Sequence, residues 1–544
     1  MRKYLKIIIA LLLIMPGWGG VTIWAGEGAD DTNSAGSVSP YQARGWLVRS
    51  LPELADALRE GQVSSELLVK AYIKRIKAID WAGPHLQSVI SLNPDAIAEA
   101  RALDHRREAG QSLGPLHGVP ILLKDIIESK DVLATTAGAL ALKDNVTGRD
   151  SPLVKGLRDA GAIILGKANL SQWANFRSKT SMSGWTALGG QVRNPHILDR
   201  NPCGSSSGSA VAMAASLAGG TVGTETNGSI ICPSNASGIV GFKPTVGLVS
   251  QQYIVPISST QDTAGPMTKT VRGAAMMLGA MATGTARQDY VGRLDKEKLK
   301  GARIGVLRFA QGSNPHVIRL FNAALKDLEA AGAILVDIEK FETDAEKFWK
   351  LSGEVLRYEF KATLNDYLAH AAPQVKVRNL SELIAFNKAH SDVELALFDQ
   401  SLFDEAVAYG PLSDEKYQTA LKTVLSSTRE KGIDALMGQY NLDVLVSPSG
   451  PVPGPVDPLN GDLWPAWAGA GWMAAIAGYP HLSVPMGMSH GMPSNISFIG
   501  GKDQDAEILA YGYAYEQRTQ KRRAPRYLST AGDRPEISRA MKRK

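Results

Sequence analysis

Residues 203–229 read CGSSSGSAVAMAASLAGGTVGTETNGS, two serine-bearing glycine turns around a stretch of small and apolar side chains. Ser209 to Ala218 carries no charge and has no polar face, so it reads as a buried helix opened by the first turn rather than as a surface helix. Thr221 to Thr224 reads as the strand that follows, and Thr226-Asn227-Gly228-Ser229 as the second turn. A glycine-rich loop that runs directly into a buried helix is held in place. Gly228 also lets the backbone approach a ligand closely.

The rest of the chain alternates in the same way. Leu51 to Leu58 has Pro52 near its start and apolar residues at helical spacing, and Gly61 stops it. Ser64-Ser65 caps a second helix, and a third covers Pro94 to Glu108. Gly118 to Leu123 is a short apolar strand that ends at Lys124. Leu153 to Ala160 reads as a helix and Ala162 to Gly166 as a buried strand. Further strands are expected at 238–242, 303–307, 333–336 and 443–447, with a helix over 316–331 and a Gly/Pro-punctuated finish around 478–500. This pattern predicts an α/β fold: a large, mainly internal β-sheet covered by helices on both faces. The more charged region 340–440 reads as a helical cap over the site.

The chain has 544 residues, which by length alone suggests roughly three or four domains. No fixed-period repeat or long linker divides it. The net charge of +6 is small for this size, and part of it sits at the two ends. No basic stripe with interleaved aromatics is present, which argues against nucleic acid as a partner. At the start, Arg2, Lys3 and Lys6 precede an apolar run from Ile7 to Met15. Pro16-Gly17 breaks that run, and Ala25-Gly26 offers a small-residue cleavage point. This is the pattern of a secretory signal peptide over residues 1–25. Its apolar core is too short to span a bilayer, so export with cleavage and no remaining membrane span is expected. Residues 26–45 read as a flexible leader and 531–544 as a basic tail. The two cysteines, Cys203 and Cys232, flank the serine turns; an exported protein permits a disulfide, and two packed free thiols are equally compatible with the sequence.

A serine hydroxyl needs a base before it attacks a carbonyl. The nine histidines are scattered and form no HExxH or other recognised pair, with His117 the nearest to a chemistry-bearing segment. Lys124 follows the apolar run Val119 to Leu123. Desolvation there can keep an amine neutral and able to accept a proton. The second turn can present successive backbone N–H groups to a developing oxyanion. A phosphate cradle would need GxxxxGK[ST], which is absent.

These residues lie within longer motifs: GPLHGVPILLKD (114–125), GAIILGKANLSQWANF (161–176), CGSSSGSAVAMAASLA (203–218), GTETNGSIICPSNASGIVGFKPTVG (223–247), TQDTAGPM (260–267) and IAGYPHLSVPMG (476–487). In content, order and spacing they resemble the amidase signature family, from about Leu51 to Arg526. The resemblance implies a single amidase domain over 46–530 that uses neither cofactor nor metal. It implies Lys124 as catalytic base, Ser205 as the bridging serine after a cis peptide bond, and Ser229 as nucleophile. The oxyanion hole falls on the backbone N–H groups of Thr226, Asn227, Gly228 and Ser229. Within the family, CGSSSGS, the absence of an arginine after Ser229-Ile230, and YEFKATL (358–364) are most similar to the peptide-amidase branch, which removes ammonia from C-terminally amidated peptides.

Two departures stand out. Asn227 occupies a place where an acidic residue is expected before Gly-Ser. Pro493-Ser494-Asn495 replaces Pro-Val-Gly, a change expected to reshape a wall of the site. The implied substrate is a peptide or small-molecule amide. Aryl, fatty and small aliphatic amides are the alternatives within the chemistry, and a non-catalytic peptide-binding protein on the same scaffold is the alternative outside it.

Overall fold

In the computed structural model, residues 45–542 are described, other than 112, 343 and 465. The expected signal peptide and all but the last residue of the leader lie outside them. The described residues form one compact unit, where length alone suggests three or four.

An eleven-stranded mixed sheet runs through that unit. In chain order its strands are β1 (Val89–Leu92), β2 (Pro120–Lys124), β3 (Ile163–Ala168), β4 (Gly220–Glu225), β5 (Val240–Lys243), β6 (Thr263–Thr268), β7 (Arg303–Leu307), β8 (Ile334–Ile338), β9 (Val444–Pro448), β10 (His481–Ser489) and β11 (Met492–Ile499). Across the sheet they lie in the order β1-β3-β2-β4-β6-β5-β10-β11-β9-β7-β8. The run β3-β2-β4 and the run β9-β7-β8 are parallel, and the remaining pairs are antiparallel. Every residue of β2, β3, β4, β6 and β9 is buried. Strands covered on both faces read as continuous apolar or small-residue runs, as these do.

Five helices bear on the site: α1 (Ser207–Ala214), α2 (Ile231–Ser237), α3 (Ala345–Ala369), α4 (Glu415–Thr428) and α5 (Gly471–Ala477). All eight residues of α1 are buried. Its small side chains let it press onto neighbouring backbone. A Cβ on Gly208 would stand 2.2 Å from the carbonyl oxygen of Asn169. Helix α1 stops at Ala214 rather than at Ala218, because Ser216 takes a left-handed conformation (φ 59°) that turns the chain toward β4. Ala210, Met213 and Ala214 of α1 pack with Ile230, Ile231, Ile239 and Met267 into a small apolar core beneath the two serine turns.

The helical cap expected over 340–440 is present, and α3 and α4 are its longest members. The C-terminal tail carries a short helix over Pro535–Met541. No helix among the described residues is long and apolar enough to cross a membrane.

Candidate active site

Strands β2 and β4 are parallel neighbours, with Leu122 beside Thr221 and Leu123 beside Val222. Parallel neighbours end at the same edge of a sheet, which is where α/β folds place ligand sites. Lys124, the last residue of β2, and Thr224, next to last in β4, therefore meet there. The Lys124 Nζ lies 2.7 Å from the Ser205 Oγ, 2.9 Å from the Thr224 Oγ1 and 3.3 Å from the Thr224 carbonyl oxygen. Lys124 and Ser205 are both fully buried. Burial pushes the Lys124 ammonium down to about 7, against the opposing pull of the Asp262 and Glu225 carboxylates.

A neutral amine has two N–H bonds and one lone pair. The two oxygens of Thr224 accept the N–H bonds, which leaves the lone pair facing the Ser205 hydroxyl. Lys167 and Lys243 are also buried, but they bond to Ile127, Thr135 and Pro244, away from both serine turns. Their contacts leave Lys124 as the buried lysine that reaches a serine of the first turn.

The peptide bond between Gly204 and Ser205 is cis. The first turn is tied to the second by Ser206, whose N–H donates to the carbonyl oxygen of Ser229 at 3.1 Å. Gly228 has φ +85°, which suits glycine, and nothing lies within 4 Å of where its Cβ would be. Among the described residues, the backbone N–H groups of Thr226, Asn227, Gly228 and Ser229 donate to no protein acceptor. Four successive free donors make an anion-binding concavity.

The acid that supports this turn is Glu225, two positions before the expected one at Asn227. Its Oε2 accepts from the N–H groups of Ile230 (2.8 Å) and Ile231 (3.0 Å), drawing the ends of the turn together. Asn227 is itself solvent-exposed. Asp262 holds the start of the turn: its Oδ1 accepts from the Thr226 Oγ1 at 2.5 Å, and its Oδ2 from the Ile257 and Ser258 N–H groups at 2.7 and 2.9 Å.

Cys203 and Cys232 are joined in a disulfide. It links the residue two positions before Ser205 to the residue three positions after Ser229, so both turns are clamped at their outer ends.

Asn495 is not a wall of the site. Its buried amide donates to the Ile239 carbonyl (2.8 Å) and the Ser483 Oγ (2.9 Å), while its backbone N–H reaches the Asn235 Oδ1 (2.8 Å), bracing the end of α2. His117 bonds to the Leu103 carbonyl oxygen and stands outside the cluster. No group of three or more His, Cys, Asp or Glu that could hold a metal occurs among the described residues.

Thr224, Glu225 and Asp262 are the members of this site that motif reading does not single out. Asp262 is the acid of TQDTAGPM, and Glu225 precedes the second turn by one residue.

Comparison with known proteins identifies the family. The family model described as Amidase matches residues 67–509. A probable amidase of Arabidopsis thaliana is 37% identical over 507 residues, covering 88% of this chain and 92% of its own length. The crystal structure of an amidase family protein from Bacillus anthracis superimposes with a TM-score of 0.80 at 33% identity, over 89% of this chain and 94% of that one. The crystal structure of native peptide amidase from Stenotrophomonas maltophilia superimposes with a TM-score of 0.83 at 44% identity, over 88% of this chain and 99% of that one. Given the family match over most of its length, together with the eleven-stranded fold, the chain belongs to the amidase signature family and is a hydrolase of amide bonds.

Proposed function

We propose that the protein hydrolyses the C-terminal amide of peptides and releases ammonia, with Ser229 as nucleophile, Ser205 as proton bridge and Lys124 as base. The observation that carries the choice of substrate is a pair of cavities on either side of the 226–229 turn. One, of about 640 Å³, borders Thr226 and includes Gln251, Gln252, Arg149 and Asp366 in its lining. The other, of about 340 Å³, borders Asn227 and Gly228. Both are within the range of ligand pockets. The carbon next to a peptide's terminal carboxamide branches in two, into a side chain and the rest of the peptide. Two cavities flanking one oxyanion turn suit that branching. A fatty, aryl or small aliphatic amide has one acyl branch and needs one cavity. The 44% identity to a solved peptide amidase supports the same reading, as does the N-terminal signal pattern, which suits an exported enzyme that meets peptides outside the cytoplasm.

The contact between Lys124 and Ser205 supports the following relay. Ser229 Oγ attacks the carboxamide carbon as its proton passes to Ser205 and the Ser205 proton passes to neutral Lys124. The oxygen that gains charge faces the N–H groups of residues 226–229. Collapse of the tetrahedral intermediate breaks the C–N bond, and the proton returns from Lys124 through Ser205 to the leaving nitrogen, which departs as ammonia. Water then attacks the acyl-Ser229 ester through the same relay, releasing the peptide acid.

Ammonia release measured across amidated dipeptides, free amino-acid amides, anilides and fatty amides tests this reading. The highest kcat/KM is expected for amidated dipeptides. A clear preference for anilides or fatty amides would overturn it.

A further inference from the structure

The smaller cavity has an unusual lining for a surface cleft. Trp349 from α3, Trp467 from the segment before α5, and Trp472 from α5 face Asn227 and Gly228 across it. Trp349 is 47% and Trp467 53% exposed, although each is large and apolar. Two aromatic groups build this lining: Trp472 stacks edge-on against Phe348 and Trp349, at ring separations of 5.2 and 5.4 Å, and Trp467 stands edge-on to Trp464. Leu459 and Leu463, on the same segment as Trp467, are also exposed, Leu459 almost fully at 91%. Single exposed apolar residues are ordinary, but several large aromatic residues lining one cleft mark a place where something binds. Tryptophan is the residue most often found where apolar contact supplies binding energy.

The placement of the patch identifies its occupant. It adjoins the middle of the oxyanion turn, so a group lying against it is attached one bond or a few from the carbonyl under attack. It has no charged lining residue to meet a polar peptide backbone. The larger cavity supplies charge through Arg149 and Asp366, with the Gln251 and Gln252 amides beside them.

We infer that the Trp349–Trp467–Trp472 cleft is the subsite for the side chain of the substrate's C-terminal residue, and that the enzyme selects amidated peptides ending in an aromatic or large aliphatic residue. This inference rests on the peptide-amide reading above. Contact with the tryptophans holds the carbonyl in register with the turn, so the selection is expressed in kcat/KM.

The test uses dipeptide amides that share their first residue and end in Phe, Leu, Gly or Asp. The Phe and Leu amides are expected to exceed the Gly amide by about tenfold or more in kcat/KM, the range one hydrophobic pocket provides, with the Asp amide lowest. Trp467→Ala and, separately, Trp349→Ala are expected to bring the Phe-to-Gly ratio toward one. Both side chains are half-exposed, so circular dichroism should show a native fold in each variant. A flat profile in the native enzyme, or variants that lower all four substrates equally and preserve the ratio, overturns the inference while leaving the peptide-amide reading intact. Hydrolysis of none of the four amides, alongside turnover of anilides or fatty amides, overturns the reading itself.

Discussion

The Nζ of Lys124 stands 2.7 Å from the Oγ of Ser205 in a fully buried setting, with the two oxygens of Thr224 occupying its other contacts. A lysine in water is protonated at neutral pH. Here burial brings the ammonium down to about 7, so the neutral form is available near neutrality. Only that form has a lone pair for the serine proton.

The direction of the pH dependence follows. As pH falls through about 7, Lys124 gains a proton and can no longer serve as the base of the proposed relay. The logarithm of kcat/KM should therefore rise with pH up to about 7 and then level off. Asp262 raises the proton affinity of Lys124. Asp262→Asn removes that charge and should move the acid limb to lower pH. It also weakens the hold on Thr226, so the plateau should fall. A pH–rate profile of the two enzymes checks both effects.

A second prediction concerns Glu359 of α3, which is fully buried. Its carboxylate accepts from the Ser258 hydroxyl, from the Thr260 hydroxyl (2.9 Å) and from the Tyr417 hydroxyl of α4 (2.7 Å). Ser258 and Asp262 belong to one loop, and Asp262 holds Thr226. The cap is thus connected to the 226–229 turn by a chain of hydrogen bonds. Glu359→Gln, which keeps the size but not the charge, should lower kcat about tenfold, equivalent to ~1.4 kcal/mol of transition-state stabilisation. Thr226→Val should lower kcat too. Because both changes act through Asp262, the double variant should lose less than the product of the two. Multiplicative losses in a double-mutant cycle would show that Glu359 acts on the fold alone.

The disulfide offers a third. Cys203 and Cys232 close a loop with a sequence separation of 29 that contains both turns. Cys203→Ala/Cys232→Ala should lose about 2–4 kcal/mol of stability, read from denaturant unfolding. The two serines sit within three residues of the bridge, so kcat should fall as well, at temperatures where the variant remains folded.

Much of this site was legible from residue order. Lys124 could be singled out because an apolar strand delivers it, and the two serine turns because they flank a helix too small and apolar to be anywhere but inside; within those turns, Ser205 and Ser229 were picked out only by the resemblance to the amidase signature family. The partners of those residues were not legible. Thr224, Asp262 and Glu359 reach the site from 100, 138 and 235 positions beyond Lys124, and hydrophobic periodicity carries no information about such pairings. Two elements were hidden for a different reason. Helix α2 (Ile231–Ser237) is seven residues long and buried on every side, so it shows no amphipathic period. Strand β6 (Thr263–Thr268) includes Gly265 and Pro266, which argue against a strand, yet it pairs along most of β4. The state of the two cysteines likewise became visible only when the turns were placed side by side.

The most direct test of the account is to find where the acyl group goes. Native enzyme quenched in acid during turnover of an amidated dipeptide, digested and analysed by mass spectrometry, should carry the peptide acyl mass on Ser229. Ser229→Ala should show no adduct and lose at least roughly 10⁴-fold in kcat. An adduct on another residue, or a Ser229→Ala variant that still releases ammonia at the native rate, would contradict the assignment of Ser229 as nucleophile.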